Sequence, residues 1–352
     1  MKTYEELKKV VDEFIILTRD AIKTHPFYVP IAMHEFARNL YPYDYWLPFP
    51  KRKDSSSHTE RIFEVTTNLC KYLKFNTSFP SYKSNFKQNL VLEKYQASNK
   101  IEDVYGDLWG NLQVSEIVKQ TQEQLNGILE TNDYSLKIFK GKKVLDIGCG
   151  FGRYSIAISS MGAKSVIGVD IGKKGLEVGE KIAKANNFKN IKFDKQDLLS
   201  LPYSDESFDI VFCYGVLHHL ESIEKGLEQI YRILNNNGMA LIYVYGSGGI
   251  YWYSRKLINK VMKELPRKYC QEILDMYCVP RNRWSLIDNW YVPIEKHSKN
   301  HEIVDKLKKI GFSKIERLNN APIEDLNYYA KNIQEEGSIV WGEGILRYML
   351  TK

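Results

Sequence analysis

Apolar residues along this chain recur with two different periods, and the change from one to the other divides it. Over residues 4–24 they fall at Leu7, Val10, Val11, Phe14, Ile15 and Leu17, the three-and-four spacing of one helix face. Two stretches rich in proline and aromatic residues, 25–30 and 41–50, break that helix. The polar run 51–58 reads as an exposed loop, and a second helix is expected over 59–73. The first hundred residues thus read as helices without alternating strands.

Beyond an approach helix expected at 115–129 the pattern changes. Short apolar runs at 143–147, 165–169, 191–195, 208–213 and 239–245 read as strands, separated by helical stripes at 153–161, 173–186 and 222–234. Strands that alternate with helices of about ten residues or more imply right-handed crossovers and a parallel sheet covered on both faces. Residues 246–297 interrupt the alternation. It resumes with a helix at 301–310, Gly311 as its stop, a strand at 314–318 and a last strand near 344–350. The expected division is a helical region, 1–104, and an α/β domain, 105–352, with an α-rich cap inserted at 246–297.

Composition narrows the class. With 43% hydrophobic and 26% charged residues among 352, the chain can bury a sizeable core. No apolar run approaches the ~18–20 residues of a membrane span, and residues 14–17 are too short a run for a secretory leader, so a cytoplasmic protein with no membrane contact is expected. The five cysteines are odd in number and form no C-x-x-C pair, which argues against a disulfide framework or a zinc knuckle. The net charge of +7 is concentrated: residues 251–283 contain eight Lys/Arg against three acids.

Chemistry is concentrated where the first strand ends. Asp146-Ile-Gly148-Cys149-Gly150-Phe-Gly152 is a strand feeding a glycine turn that opens a helix. Glycine tolerates positive φ and close approach by a ligand, and the helix behind it offers unpaired N–H groups. Dinucleotide sites space their glycines G-x-G-x-x-G to cradle a pyrophosphate. Here the spacing is G-x-G-x-G, and Asp146 suits a cationic ligand where it would repel a diphosphate. Asp170 closes the second strand, at the distance from the turn where a carboxylate accepts ribose hydroxyls. Asp197 follows the third strand, placed to accept from an adenine amino group, with Leu198 to cover the ring. The fourth strand ends in Phe212-Cys-Tyr-Gly-Val-Leu-His-His219, at the carboxyl edge where open α/β sheets bind ligands.

In this order the four stretches resemble the class I S-adenosylmethionine-dependent methyltransferases, in the branch written D-x-G-C-G-x-G, G-x-D, F-D-x-V and V-L-H-H. The resemblance covers 141–245 closely and extends to 298–318. It implies a Rossmann-like, seven-stranded, mostly parallel sheet with the last strand antiparallel. It also implies S-adenosylmethionine as cofactor, with Asp146, Gly148, Cys149, Gly150 and Gly152 along the methionine moiety, Asp170 and Ile171 at the ribose, and Asp197 with Leu198 at the adenine. Cys213 and Tyr214 would lie beside the methyl group, Tyr214 shaping its pocket, and His218 would face the acceptor as a general base. A neutral imidazole can take a proton at physiological pH. Adjacent His218 and His219 with Glu221 do not converge on one metal ion, so no metal is expected.

The implied activity is methyl transfer to oxygen or nitrogen of a small molecule or glycan. Two other readings stay open: a tRNA or rRNA methyltransferase, suggested by the basic insert, and a cofactor-binding protein without catalysis. The aromatics of the insert (Tyr251, Trp252, Tyr253, Trp284, Trp290, Tyr291) suit a lid over the substrate. Those at Tyr41, Tyr43, Tyr45 and Trp46 suit a core or the subunit contact of a homodimer.

Overall fold

The computed structural model describes residues 1–40, 57–78, 114–277, 290–318 and 334–352. Helices α1 (Tyr4–Thr24), α2 (Val29–Asn39), α3 (His58–Ser78) and α4 (Val114–Thr131) precede strand β1 (Lys143–Ile147). There follow α5 (Arg153–Ser160), β2 (Ser165–Asp170), α6 (Lys173–Ala185), β3 (Ile191–Lys195), β4 (Phe208–Cys213), α7 (Ile223–Ile233) and β5 (Leu234–Tyr245). The described chain closes with α8 (Gly249–Met262), α9 (Arg267–Met276), α10 (Asn300–Ile310), β6 (Lys314–Arg317), α11 (Gln334–Trp341) and β7 (Ile345–Thr351). The aromatics at 41–46 and Trp284 lie outside the described residues.

The chain forms two compact units, one from residues 1–99, 248–292 and 329–342, the other from 100–247, 293–328 and 343–352. The insert was expected as a cap belonging to the α/β domain. Its helices α8 and α9 instead share a unit with the N-terminal helices: Tyr253 donates its hydroxyl proton to Asp12 of α1, and Ile250, Trp252, Ile258, Val261 and Met262 are buried.

In this helical unit, α1 is started by a capping box in which Thr3 and Glu6 satisfy each other's backbone N–H groups. Phe14 of α1 and Phe36 of α2 meet at 4.8 Å between ring centroids. Pro30 sits in the first turn of helix α2, where a missing N–H costs nothing. The prolines of 25–30 therefore separate two helices rather than ending helical structure. Glu336 of α11 is buried and accepts from the N–H and the hydroxyl of Thr59 at 2.8 and 2.9 Å, closing the first turn of α3.

The other unit is built on a seven-stranded sheet of order β3-β2-β1-β4-β5-β7-β6. Strands β1 to β5 pair in parallel, and β7 runs antiparallel to both β5 and β6. Both faces are covered, which is why its strands read as apolar runs without alternation. Leu145, Ile147, Val169, Cys213 and Ile242 face α7 and α10 through Leu227, Ile230, Ile303 and Leu307. On the opposite face Val144, Phe212, Leu241 and Met349 meet Leu125, Ile128 and Leu129 of α4 and Ile158 of α5. Each such fully buried leucine or isoleucine stabilises the fold by about 1.5–3 kcal/mol. Strand β5 starts earlier than its apolar run, because Asn235–Gly238 pass through a bulge opposite Phe208 and Ile210. Sequence order along the sheet reverses between β1 and β4, so the loops leaving these two strands diverge and open a crevice at the carboxyl edge.

Candidate active site

The chain leaving β1 turns sharply back on β2. The N–H groups of Gly148 and Cys149 both donate to the Val169 carbonyl, at 2.7 and 3.0 Å. Gly148, Gly150 and Gly152 have φ of +68°, +57° and +82°. A Cβ at Gly148 would stand 2.0 Å from Val216 Cγ2 in the loop after β4, and one at Gly152 would stand 2.4 Å from Phe193 Cζ. At Gly150 nothing lies within 4 Å, so the turn has an open side there.

Asp170 fixes this turn from the end of β2. Its two carboxylate oxygens accept the N–H of Gly150 at 2.9 Å and of Gly172 at 2.7 Å. Expected to meet the ribose, it also holds the glycine turn to the start of α6. A carboxylate accepts at about four lone-pair positions, so capacity remains for a ligand. Burial is the largest influence on its acidity and raises its pKa above the usual aspartate value, although the three backbone N–H groups of Gly172, Gly150 and Ile171 pull the other way.

Asp146 is 2% exposed and accepts the Ser155 hydroxyl at 2.6 Å. Its pKa is pushed up to about 7, first by burial and further by the negative charge of Asp170, against the opposing Ser155 hydrogen bond. It therefore acts on a ligand through its field rather than through an open carboxylate. Two desolvated acids beside a glycine turn with one open side fit a cationic nucleoside such as S-adenosylmethionine, whose positive charge would stabilise both.

The remaining sequence candidates separate. Ile171 is 39% exposed beside Asp170, an apolar surface open to a ligand. Asp197 is exposed and caps a short 3₁₀ turn through the Leu199 N–H at 2.9 Å. Leu198, expected over the adenine, is 4% exposed and packs in the core with Leu217 and Leu227. Cys213, expected beside the cofactor, is fully buried in that same core. It shares its sheet face with Ile147, whereas Phe212 shares the face of Asp146, because neighbouring residues of a strand point to opposite sides. Cys149 is buried against Leu176, Ala183 and Phe193.

Past the end of β4 the site wall is aromatic. Tyr214 is half-buried; its ring stacks on Phe212 at 5.3 Å and meets Tyr243 edge-on at 4.3 Å. The guanidinium of Arg347, 2% exposed, lies 5.4 Å from the Tyr214 ring centroid and 6.0 Å from that of Tyr243. His218, expected as the general base, is fully enclosed, with its ring stacked on Tyr245 at 3.5 Å. An imidazole filled in on this scale is a wall of the crevice, out of reach of an acceptor's proton. The V-L-H-H pattern places the pair on the loop after β4 but does not say which ring turns inward. Tyr243, Tyr245 and Arg347 were not singled out in the sequence. The signal was there for two of them, since alternate residues of a strand share a face.

Residues 138–306 match the family described as a methyltransferase domain. The uncharacterized methyltransferase YcgJ of Bacillus subtilis is 35% identical over 100 residues, 28% of this chain and 39% of that protein. A demethylmenaquinone methyltransferase of Lactobacillus johnsonii is 34% identical over 128 residues, 33% of this chain and 52% of that protein. The chain thus spans about half, or less, of the length of these relatives. The crystal structure of the Bacillus YcgJ protein superposes with a TM-score of 0.41 at 17% identity, covering 68% of this chain and 98% of that one.

Proposed function

We propose that this chain, whose residues 138–306 match a methyltransferase-domain family, transfers a methyl group from S-adenosylmethionine to oxygen or nitrogen of a small molecule. The observation that carries the reading is Asp170, whose single carboxylate ties the glycine turn to the start of α6 and leaves the open side of Gly150 toward the crevice. In this reading Gly148, Cys149, Gly150 and Gly152 border the methionine part, with the Asp146 charge behind them. Asp170 and Ile171 take the ribose, and Asp197 lies at the adenine edge.

S-adenosylmethionine, when bound, supplies a methyl group on a sulfonium, already an activated centre. What is left to the protein is to orient the acceptor and keep water out. Holding two reactants in line supplies roughly 7–11 kcal/mol of the barrier. Tyr214, stacked on Phe212 and fixed by Tyr243, gives the acceptor side a rigid wall. The relatives whose names carry a substrate act on demethylmenaquinone, which supports a small-molecule acceptor over a nucleic acid.

Calorimetric titration with S-adenosylmethionine, S-adenosylhomocysteine and a nicotinamide dinucleotide tests the cofactor. Methyl-labelled cofactor offered to a panel of phenols, hydroquinones and amines tests the transfer. Binding of the two sulfur nucleosides and label on a panel member are expected. Binding of the dinucleotide alone would overturn the reading.

A further inference from the structure

Near the carboxyl edge of the sheet, side chains from three successive strands stand in one row. Arg347 of β7 is paired with Tyr243 of β5. Tyr214 follows Cys213, the residue of β4 paired with Ile242, so it falls beside Tyr243, and the two rings meet edge-on at 4.3 Å. The row continues the face of Phe212, Leu241 and Met349, two residues nearer the edge on each strand. The Arg347 guanidinium lies 5.4 Å from the Tyr214 ring centroid and 6.0 Å from that of Tyr243. A cation withdrawn from water is costly, and the two rings offset part of that cost while the cation fixes them in turn.

The backbone leaving β4 joins this row to the glycine turn. Gly215 has φ +85°, and a Cβ there would stand 2.9 Å from the Tyr243 hydroxyl oxygen and 3.5 Å from the ring carbon that bears it. The hydroxyl thus rests against the Gly215 backbone, closer than a side chain at 215 would permit. The next residue, Val216, packs on Gly148, its Cγ2 only 2.0 Å from where a Cβ would stand. Gly148 opens the turn by donating its N–H to Val169. Printed side by side, these contacts run from the last strand to the first without a gap, although β7 carries none of the four sequence motifs.

We propose that Arg347 and Tyr243 are positioning residues for the cofactor site. Arg347 fixes the tilt of the Tyr243 ring, and the Tyr243 hydroxyl sets how far Gly215 stands off the sheet. Val216 carries that setting to Gly148. The assignment rests on the cofactor reading given above, and both residues act through the loop after β4 without touching the cofactor themselves.

Calorimetric titration of the full chain with S-adenosylmethionine and S-adenosylhomocysteine tests this, with urea unfolding of the same variants. Gly215→Ala drives a methyl into the Tyr243 hydroxyl and should raise the dissociation constant by about tenfold. In Tyr243→Phe the hydroxyl is gone and the ring carbon at 3.5 Å is an ordinary contact. The same glycine substitution should therefore cost only about threefold in that background. Backbone strain of alanine at a positive φ is common to both backgrounds and cancels. Arg347→Met should weaken binding by about tenfold, and Arg347→Lys, which keeps the charge but not the planar fork, by less.

An equal Gly215→Ala penalty in the two backgrounds overturns the proposal. Wild-type cofactor affinity in Arg347→Met, even with lowered unfolding stability, marks a merely structural role and overturns it too. Should Arg347→Met not fold, Arg347→Lys is judged by the same criterion. A wild-type chain that binds neither nucleoside overturns the cofactor reading, and this assignment with it.

Discussion

The Ser155 hydroxyl donates to the Asp146 carboxylate at 2.6 Å in a place where Asp146 is 2% exposed, so a negative charge there is held by Ser155, through its hydroxyl and backbone N–H, and by little water. The pKa of Asp146 is pushed up to about 7, above its unfolded value, and the fold therefore favours the protonated acid. Its contribution to stability is greatest below the ordinary aspartate range and is lost as pH rises to about 7. A bound sulfonium favours the charged form. S-adenosylmethionine should then bind with release of a proton below pH 7, its affinity falling by up to about tenfold for each pH unit lower. S-adenosylhomocysteine, without the sulfonium charge, should show a weaker dependence, and Asp146→Asn should remove it. Calorimetry in buffers of different ionisation heat counts the protons; equal counts for the two nucleosides would refute the linkage.

Asp170→Asn should damage both fold and cofactor binding. An amide offers one acceptor and one donor to two N–H donors, Gly150 and Gly172, so one of them loses its partner. Losing a charge-assisted bond of this kind costs about 1.5–3 kcal/mol. Urea unfolding should show that loss, and the cofactor dissociation constant should rise by about tenfold or more.

Two glycines of the same turn should respond differently to alanine. At Gly152 the added methyl meets Phe193 at 2.4 Å and φ is +82°, so strain and overpacking add and the melting temperature should fall by several degrees. At Gly150 φ is +57° with open space around the new Cβ, and stability should drop by only about 1–2 kcal/mol. That methyl would occupy the open side of the turn, however, so Gly150→Ala should weaken cofactor binding more than its effect on melting implies.

The helical unit has its own pH limit. His58, beside Trp341 at 5.5 Å, has its pKa depressed to about 3, chiefly by burial and then by the Arg61 charge. A histidine depressed in the fold contributes stability above its unfolded value near 6.5 and loses it as pH falls from there toward 3. Circular dichroism of the wild type should show helix loss setting in below pH 6.5, and His58→Gln should flatten that slope.

The sheet strands were legible because burial on both faces leaves continuous apolar runs, and α1 because one face is buried and the other wet. The glycine turn was legible for a different reason: Gly148 and Gly152 stand where no side chain fits against Val216 or Phe193. Which way a side chain points was harder to read. Leu198 and Cys213 lie near the carboxyl ends of β3 and β4, yet both turn into the core, and a sequence match fixes position along a strand better than the face it serves. An α-rich insert was expected, but the packing of α8 on α1 depends on long-range contacts such as Asp12 with Tyr253, which leave no periodic trace.

Strand β7 lies between β5 and β6, so neither neighbour completes its ladder until Ile345–Thr351 has been inserted. Pairs such as Ile242 with Tyr348 close very long loops, and contacts of that separation make folding slow. During synthesis β5 must wait with one side unpaired, an adhesive edge open to other nascent chains. Conditions that delay insertion of this strand should promote aggregation before they weaken the finished protein.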